Sequence, residues 1–155
     1  MQLESFTLQR LDSKQKEQQE FMQQMFSNEE DEIYSYLGHM NHLGDEHTYL
    51  ICNDENHMIG YFSMSQPVMN QMNLLSTSLY YAIHPSYRGK GYATKFLQEI
   101  SGILLKQVDM IVLMIHQENI ASIRVAKKAL YQVQFCDSEE EDIIFVQYAN
   151  GTISL

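Results

Sequence analysis

Hydrophobic and polar positions alternate loosely over residues 3–10 (LESFTLQR), the two-residue period of a strand with one buried face, so the pattern predicts a first strand there. The period then lengthens. Asp12 or Ser13 can cap a helix running to about residue 26, with Phe21, Met22, Met25 and Phe26 along one face. Ser27 followed by Glu30 is a capping-box pattern opening a second helix, whose stripe is Ile33, Tyr34, Leu37 and Met40 and which Gly44 and Asp45 break. His47–Asn53 and His57–Gln66 read as two strands of a hairpin, with turn residues between them and Pro67 ending the second. Leu74–Ile83 predicts another strand, closed by Pro85, and a long helix follows from about Gly91 to Gln107. Met110–His116 is almost wholly apolar, as a strand covered on both faces would be. A helix over about 119–130 precedes two last strands, Gln132–Cys136 and Asp142–Gln147, which flank the acidic turn Asp137–Glu141.

The resulting order, β-α-α-β-β-β-α-β-α-β-β, predicts a single α/β domain over residues 1–155, with a mixed, mostly antiparallel central sheet flanked by helices. The strand–helix–strand unit from 74 to 116 should be a right-handed parallel crossover. A chain of 155 residues that is 45% hydrophobic fits one compact domain and excludes wholesale disorder. Apolar runs such as Met110–Ile115 are far too short to cross a bilayer, and MQLESFTLQR has no basic start followed by an apolar stretch, so neither a membrane nor a secretory route is expected. Cys52 and Cys136 are far apart and form no CxxC, which points to reduced thiols and a cytoplasmic setting.

Charge changes the picture. The formal net charge of −10 argues against general nucleic-acid binding. From Glu17 to Tyr87 there is no Lys or Arg, against ten acids: Glu17, Glu20, Glu29, Glu30, Asp31, Glu32, Asp45, Glu46, Asp54 and Glu55. The sign then reverses, with Arg88, Lys90, Lys95, Lys106, Arg124, Lys127 and Lys128 against only Glu99, Asp109 and Glu118. One part of the chain should attract cations and another anions.

An anion site is written into the basic half, in the run from Tyr81 to Thr94 (YAIHPSYRGKGYAT). A strand ends at a proline and a glycine-rich turn opens a long helix. Backbone N–H groups at such a start lack intrahelical partners and lie at the positive end of the helix dipole. Gly89 and Gly91 allow unusual φ and a close backbone approach, and Ala93 is small. With Arg88 and Lys90 adding charge, the turn suits a pyrophosphate. GxxxxGK[ST] is absent, and the dinucleotide fingerprint GxGxxG fails at Thr94.

These residues resemble the GNAT superfamily of acetyl-CoA-dependent N-acetyltransferases, whose signature R/Q-x-x-G-x-G/A is met by Arg88, Gly91 and Ala93. A second family element, N-x-x-S leading into a helix, is met by Asn119 and Ser122, and the run NIASIRVAKKALY looks like the branch that acetylates protein N-termini and small amines. The resemblance covers roughly residues 47–135. It implies that Ala82 and Ile83 offer backbone groups to pantetheine, that Arg88, Gly89, Lys90, Gly91, Tyr92, Ala93 and Thr94 hold the pyrophosphate, and that Asn119 and Ser122 lie near the thiol end. The sequence departs from the family where Leu130-Tyr131 replaces the usual Gly-Phe, which suggests a different helix exit. Ala126 stands where many members carry a general-acid Tyr, and Thr77 where some carry a Glu base.

The implied reaction moves the acetyl group of acetyl-CoA directly to a primary amine. A lysine-like amine with a pKa of about 10.4 costs roughly 4.6 kcal/mol to deprotonate at pH 7, so a base or ordered water is needed. Glu46, in the loop after the second helix, and His84 are the candidates, with Ser122 as proton donor to the leaving thiolate. Backbone N–H groups near Ala82 or Ile83 would polarise the carbonyl. Tyr80 and Tyr81 point to opposite faces of one strand, so only one can face substrate. His39, His42 and His47 lack a tight metal-ligand pattern, and no metal is expected. The acidic half favours a cationic acceptor, a polyamine-like molecule or a protein N-terminus; a homodimer is left open. With the family's Tyr and Glu missing, a non-catalytic acyl-CoA-binding module of the same fold is the competing expectation.

Overall fold

The computed structural model describes residues 2–12, 14–26, 47–136 and 141–150. Within them run β1 (Thr7–Arg10), α1 (Lys16–Phe26), β2 (Thr48–Cys52), β3 (Met58–Met64), β4 (Val68–Met69), β5 (Leu75–Ile83), α2 (Tyr92–Leu104), β6 (Met110–His116), α3 (Ile120–Lys128), β7 (Gln132–Cys136) and β8 (Asp142–Tyr148). The second helix expected after Ser27, and Glu46 with it, lies outside the described residues, as does most of the acidic turn after Cys136. The strands form one eight-stranded sheet in the order β1-β2-β3-β5-β6-β8-β7, with β4 pairing β5. The β5–β6 pair is parallel and the registered pairs around it are antiparallel, the mixed α/β architecture that the pattern predicts.

Two compact units divide the chain. The first comprises 1–65 and 80–92. Its core gathers Leu11, Phe21, Met22, Met25, Leu50 and Tyr61, with Met58 and Ala82 packed against them. The α1 stripe is buried as expected at Phe21, Met22 and Met25. The helix begins later than its cap residues suggested, because Asp12 Oδ1 accepts the Lys14 N–H and the Asp12 N–H donates to Gln18 Oε1 at 2.8 Å, spending the polar groups before Lys16. The β2–β3 hairpin forms as read, and Thr48 and Ser63 share a buried 2.9 Å hydrogen bond across it. Cys52 is a free, fully buried thiol whose pKa burial raises.

The second unit comprises 66–79 and 93–155. Its buried residues include Phe96, Leu97, Ile100 and Leu104 of α2, Ile111 and Leu113 of β6, Ala126 of α3 and Phe145 of β8. The Ser101 and Tyr131 hydroxyls meet at 2.6 Å inside it.

Four expectations change. The first strand starts at Thr7 rather than Leu3, since residues 4 and 5 bend. Residues 67–73, read as a connection, contain β4 and complete a second hairpin. β6 is not covered on both faces, for Met114 is 53% exposed. The exit from α3 is not a different one. Leu130 takes φ +70°, and the Tyr131 N–H bonds the Ala126 carbonyl at 2.9 Å, the left-handed closure a glycine would make.

The β2–β3 and β4–β5 hairpins share one loop design, N-x-x-N. The first Asn accepts two backbone N–H groups with its side chain, from Glu55 and His57 at Asn53 and from Met72 and Leu74 at Asn70. The last Asn is left-handed, with φ +63° at Asn56 and +61° at Asn73.

Candidate active site

The site is built where β5 ends. Proline at 85 cannot donate to a ladder, so the strand stops at Ile83 and the chain turns through a short 3-10 segment, Pro85–Tyr87, before α2. His84 caps that segment. Its N–H reaches back to the Ile59 carbonyl of β3 at 2.7 Å, its own carbonyl accepts the Tyr87 N–H at 2.8 Å, and its Nδ1 accepts the Ser86 N–H at 3.1 Å. Arg88 then folds over the strand end, its Nε donating to the Ile83 carbonyl at 2.8 Å. Beside it, Gly60 sits so close to Ala82 that a Cβ there would collide with the Ala82 carbonyl oxygen.

Gly89 and Gly91 have φ of +78° and +80°, the left-handed conformation that L side chains adopt at a cost. A Cβ placed on either would meet nothing within 4 Å, so it is the backbone and not crowding that calls for glycine. Among the described residues no backbone carbonyl takes the N–H of Gly89, Lys90 or Gly91. The first N–H groups of α2, at Tyr92, Ala93 and Thr94, have no intrahelical partner by helix geometry. This open row of donors at a helix start, with exposed Arg88 and Lys90 beside it, fits a pyrophosphate.

Aromatic rings brace the turn. Phe21 of α1 stacks on His84 at 5.6 Å, and His84 meets Tyr87 edge-on at 6.4 Å. Tyr87 meets Tyr92 at 6.3 Å, and Tyr92 meets Phe6 at 6.2 Å. The Lys90 ammonium lies 5.4 Å from the Tyr87 ring centroid. Sequence reasoning missed this chain of rings. The spacing of Tyr87 and Tyr92 around the glycines was its one visible sign.

The two tyrosines at the end of β5 part as their alternation requires. Tyr80 is 40% exposed, while Tyr81 is turned inward and burial pushes its hydroxyl up to about 12. Thr77 is buried. Asn119 and Ser122 belong to the second unit. Asn119 caps α3, its side-chain oxygen accepting the Ser122 N–H at 3.2 Å, and Ser122 is half-buried. His116, at the end of β6, repeats the His84 arrangement. Its Nδ1 accepts the Glu118 N–H at 3.2 Å, its carbonyl accepts the Asn119 N–H at 2.9 Å, and its Nε2 lies 3.5 Å from a Glu141 oxygen. His39 and His42 lie outside the described residues. Among the described residues, no helix is long and apolar enough to cross a membrane.

A family model described as the acetyltransferase (GNAT) domain matches residues 3–131. No curated protein matches the sequence. Among solved structures, an acetyltransferase (GNAT family) from Bacillus anthracis superposes with a TM-score of 0.72 at 15% identity, covering 96% of this chain and 97% of that one. The spermidine N-acetyltransferase from Vibrio cholerae, in complex with CoA and spermine, gives 0.67 at 15% identity, with 94% and 96% covered. The NatC complex bound to Gag peptide and CoA gives 0.66 at 20% identity, with 93% and 98% covered. At these identities the likeness is one of fold.

Proposed function

The chain belongs to the GNAT acetyltransferase family, acetyl-CoA-dependent acyltransferases, and from that premise we propose that it moves the acetyl group of acetyl-CoA directly to a primary amine carried by a cationic acceptor. The observation that carries the reading is the open turn from Arg88 to Thr94. Its left-handed glycines and unpartnered N–H groups suit the cofactor's pyrophosphate. Ala82 and Ile83 serve the pantetheine arm through their backbone groups. Asn119 and Ser122 are assigned to the thiol end by resemblance to the family's second element. In the reaction the neutral amine nitrogen attacks the thioester carbon, a backbone N–H near Ala82 or Ile83 steadies the oxyanion, and the C–S bond breaks. Ser122 passes the departing thiolate a proton and regains one from water, so that free CoA thiol leaves and the serine ends as it began. Of the two base candidates, His84 has its one acceptor nitrogen engaged by Ser86, so Glu46 takes the amine proton.

The acceptor's positive charge follows from the Lys- and Arg-free stretch from Glu17 to Tyr87, whose described acids Glu17, Glu20, Asp54 and Glu55 are all exposed. Spermidine and spermine, the amines of the Vibrio cholerae enzyme, are of this class, as is a peptide N-terminus. The test of the turn is Gly91→Glu, which puts a carboxylate against the pyrophosphate. Calorimetry with CoA should show binding lost, at least about 100-fold weaker, while the far-UV spectrum persists. Equal affinity in the folded variant overturns the assignment.

A further inference from the structure

We propose that His84 is a positioning residue: with its Nδ1 lone pair on the Ser86 N–H and its ring on Phe21, it holds the turn that receives the pyrophosphate. The inference rests on the acetyl-CoA reading and adds to it the residue that fixes the shape of the binding turn.

A backbone N–H can only donate, so Nδ1 must be the acceptor and the ring proton sits on Nε2. His84 therefore makes three anchoring bonds, through Nδ1 to Ser86 and its carbonyl to Tyr87 within the turn, and through its N–H to Ile59 on β3. Only the first depends on the side chain. Pro85 supplies no N–H, so Ser86 is the first donor of the 3-10 segment, and without Nδ1 it has no partner of its own. The segment it begins ends on Arg88, whose N–H bonds the Pro85 carbonyl at 3.3 Å just before the left-handed Gly89. A shift at Ser86 is therefore handed directly to the donors that follow. The ring's orientation is fixed from outside, by the near-parallel stack on Phe21 at 26° and the edge contact with Tyr87.

The chain uses this i+2 acceptor elsewhere with other side chains. Asn53 takes the Glu55 N–H at 3.1 Å, Asn70 takes the Met72 N–H at 2.9 Å, and His116 takes the Glu118 N–H at 3.2 Å. Asparagine is thus a replacement that keeps the acceptor, and phenylalanine one that keeps the ring and loses it.

The experiment is CoA binding by calorimetry to wild type, His84→Asn and His84→Phe, with thermal melts as a check of folding. His84→Phe should bind about tenfold more weakly than wild type, and His84→Asn within about threefold of it. His84→Phe binding as wild type does, or His84→Asn as weak as His84→Phe, overturns the proposal while leaving CoA binding in place. Wild type that fails to bind CoA overturns the acetyl-CoA reading, and this proposal with it.

Discussion

Leu130 is held at φ +70°, where a Cβ crowds the following carbonyl, and the residue is 74% exposed, so little packing compensates. Leu130→Gly should therefore stabilise the protein by about 0.5–1 kcal/mol, after the glycine's extra chain entropy is subtracted. The check is a urea midpoint that rises at unchanged m-value. The sequence pointed the wrong way here because the missing glycine was read as a missing turn. The turn is made by the Tyr131 N–H on Ala126, a main-chain bond that no side chain announces. Tyr81 gives a pH prediction. Its pKa rises from an ordinary 10.0 to about 12 because burial disfavours the phenolate. The native state thus holds its proton more tightly than the unfolded chain does. Tyr81's contribution is complete below about pH 10 and is lost as pH rises through about 12, reaching about 2–3 kcal/mol. Urea midpoints at about pH 9 and about pH 11 should fall more steeply for wild type than for Tyr81→Phe. Parallel slopes would refute it.

Between β3 and β5 the close approach rests on Gly60. A Cβ there would strike the Ala82 carbonyl oxygen and come within 3.1 Å of Ile83 Cδ1, and neither the strand backbone nor the buried Ile83 can step aside at little cost. Gly60→Ala should lose about 3 kcal/mol, with Tm lowered accordingly. CoA affinity should fall as well, because Ala82 and Ile83 carry the proposed pantetheine contacts. An unchanged Tm would show that the strands separate freely. The elements most legible in the sequence were those whose backbone is dictated by residue type or by long periodicity. The β5–turn–α2 unit was read from Pro85, Gly89 and Gly91, and β6 from its apolar run. β4 was hidden because a two-residue strand with both side chains exposed leaves no burial pattern. Its hairpin could have been found from Asn70 and Asn73, which repeat the spacing of Asn53 and Asn56. The aromatic bracing of the turn was less accessible, since it joins Phe6 and Phe21 to residues more than sixty positions later.

Across the whole molecule the separation of charge is a property of the sequence, and its consequence is kinetic. The screening length falls from about 10 Å at 0.1 M salt to about 3 Å at 1 M, so an acidic stretch that attracts a polycation should lose its reach over that range. The KM of a polyamine acceptor should rise with salt more than that of an amine of low net charge, measured by release of free CoA thiol. If the best acceptor is anionic and its KM is salt-independent, the acidic stretch is only a solvated surface. The interleaving of the two units has a bearing on how the protein is made. Residues 1–65 must wait for 80–92, while 66–79 pass by as the opening of a unit that needs β8. On a ribosome adding about 5–20 residues per second, every residue of the first unit is present once Tyr92 has emerged. The glycine turn can thus take shape while its helix is still being synthesised. The parallel register of β5 on β6 pairs Ser76, Thr77 and Ser78 with Met110, Ile111 and Val112, so it can form only after Val112 has been synthesised, later than the last residue of the first unit.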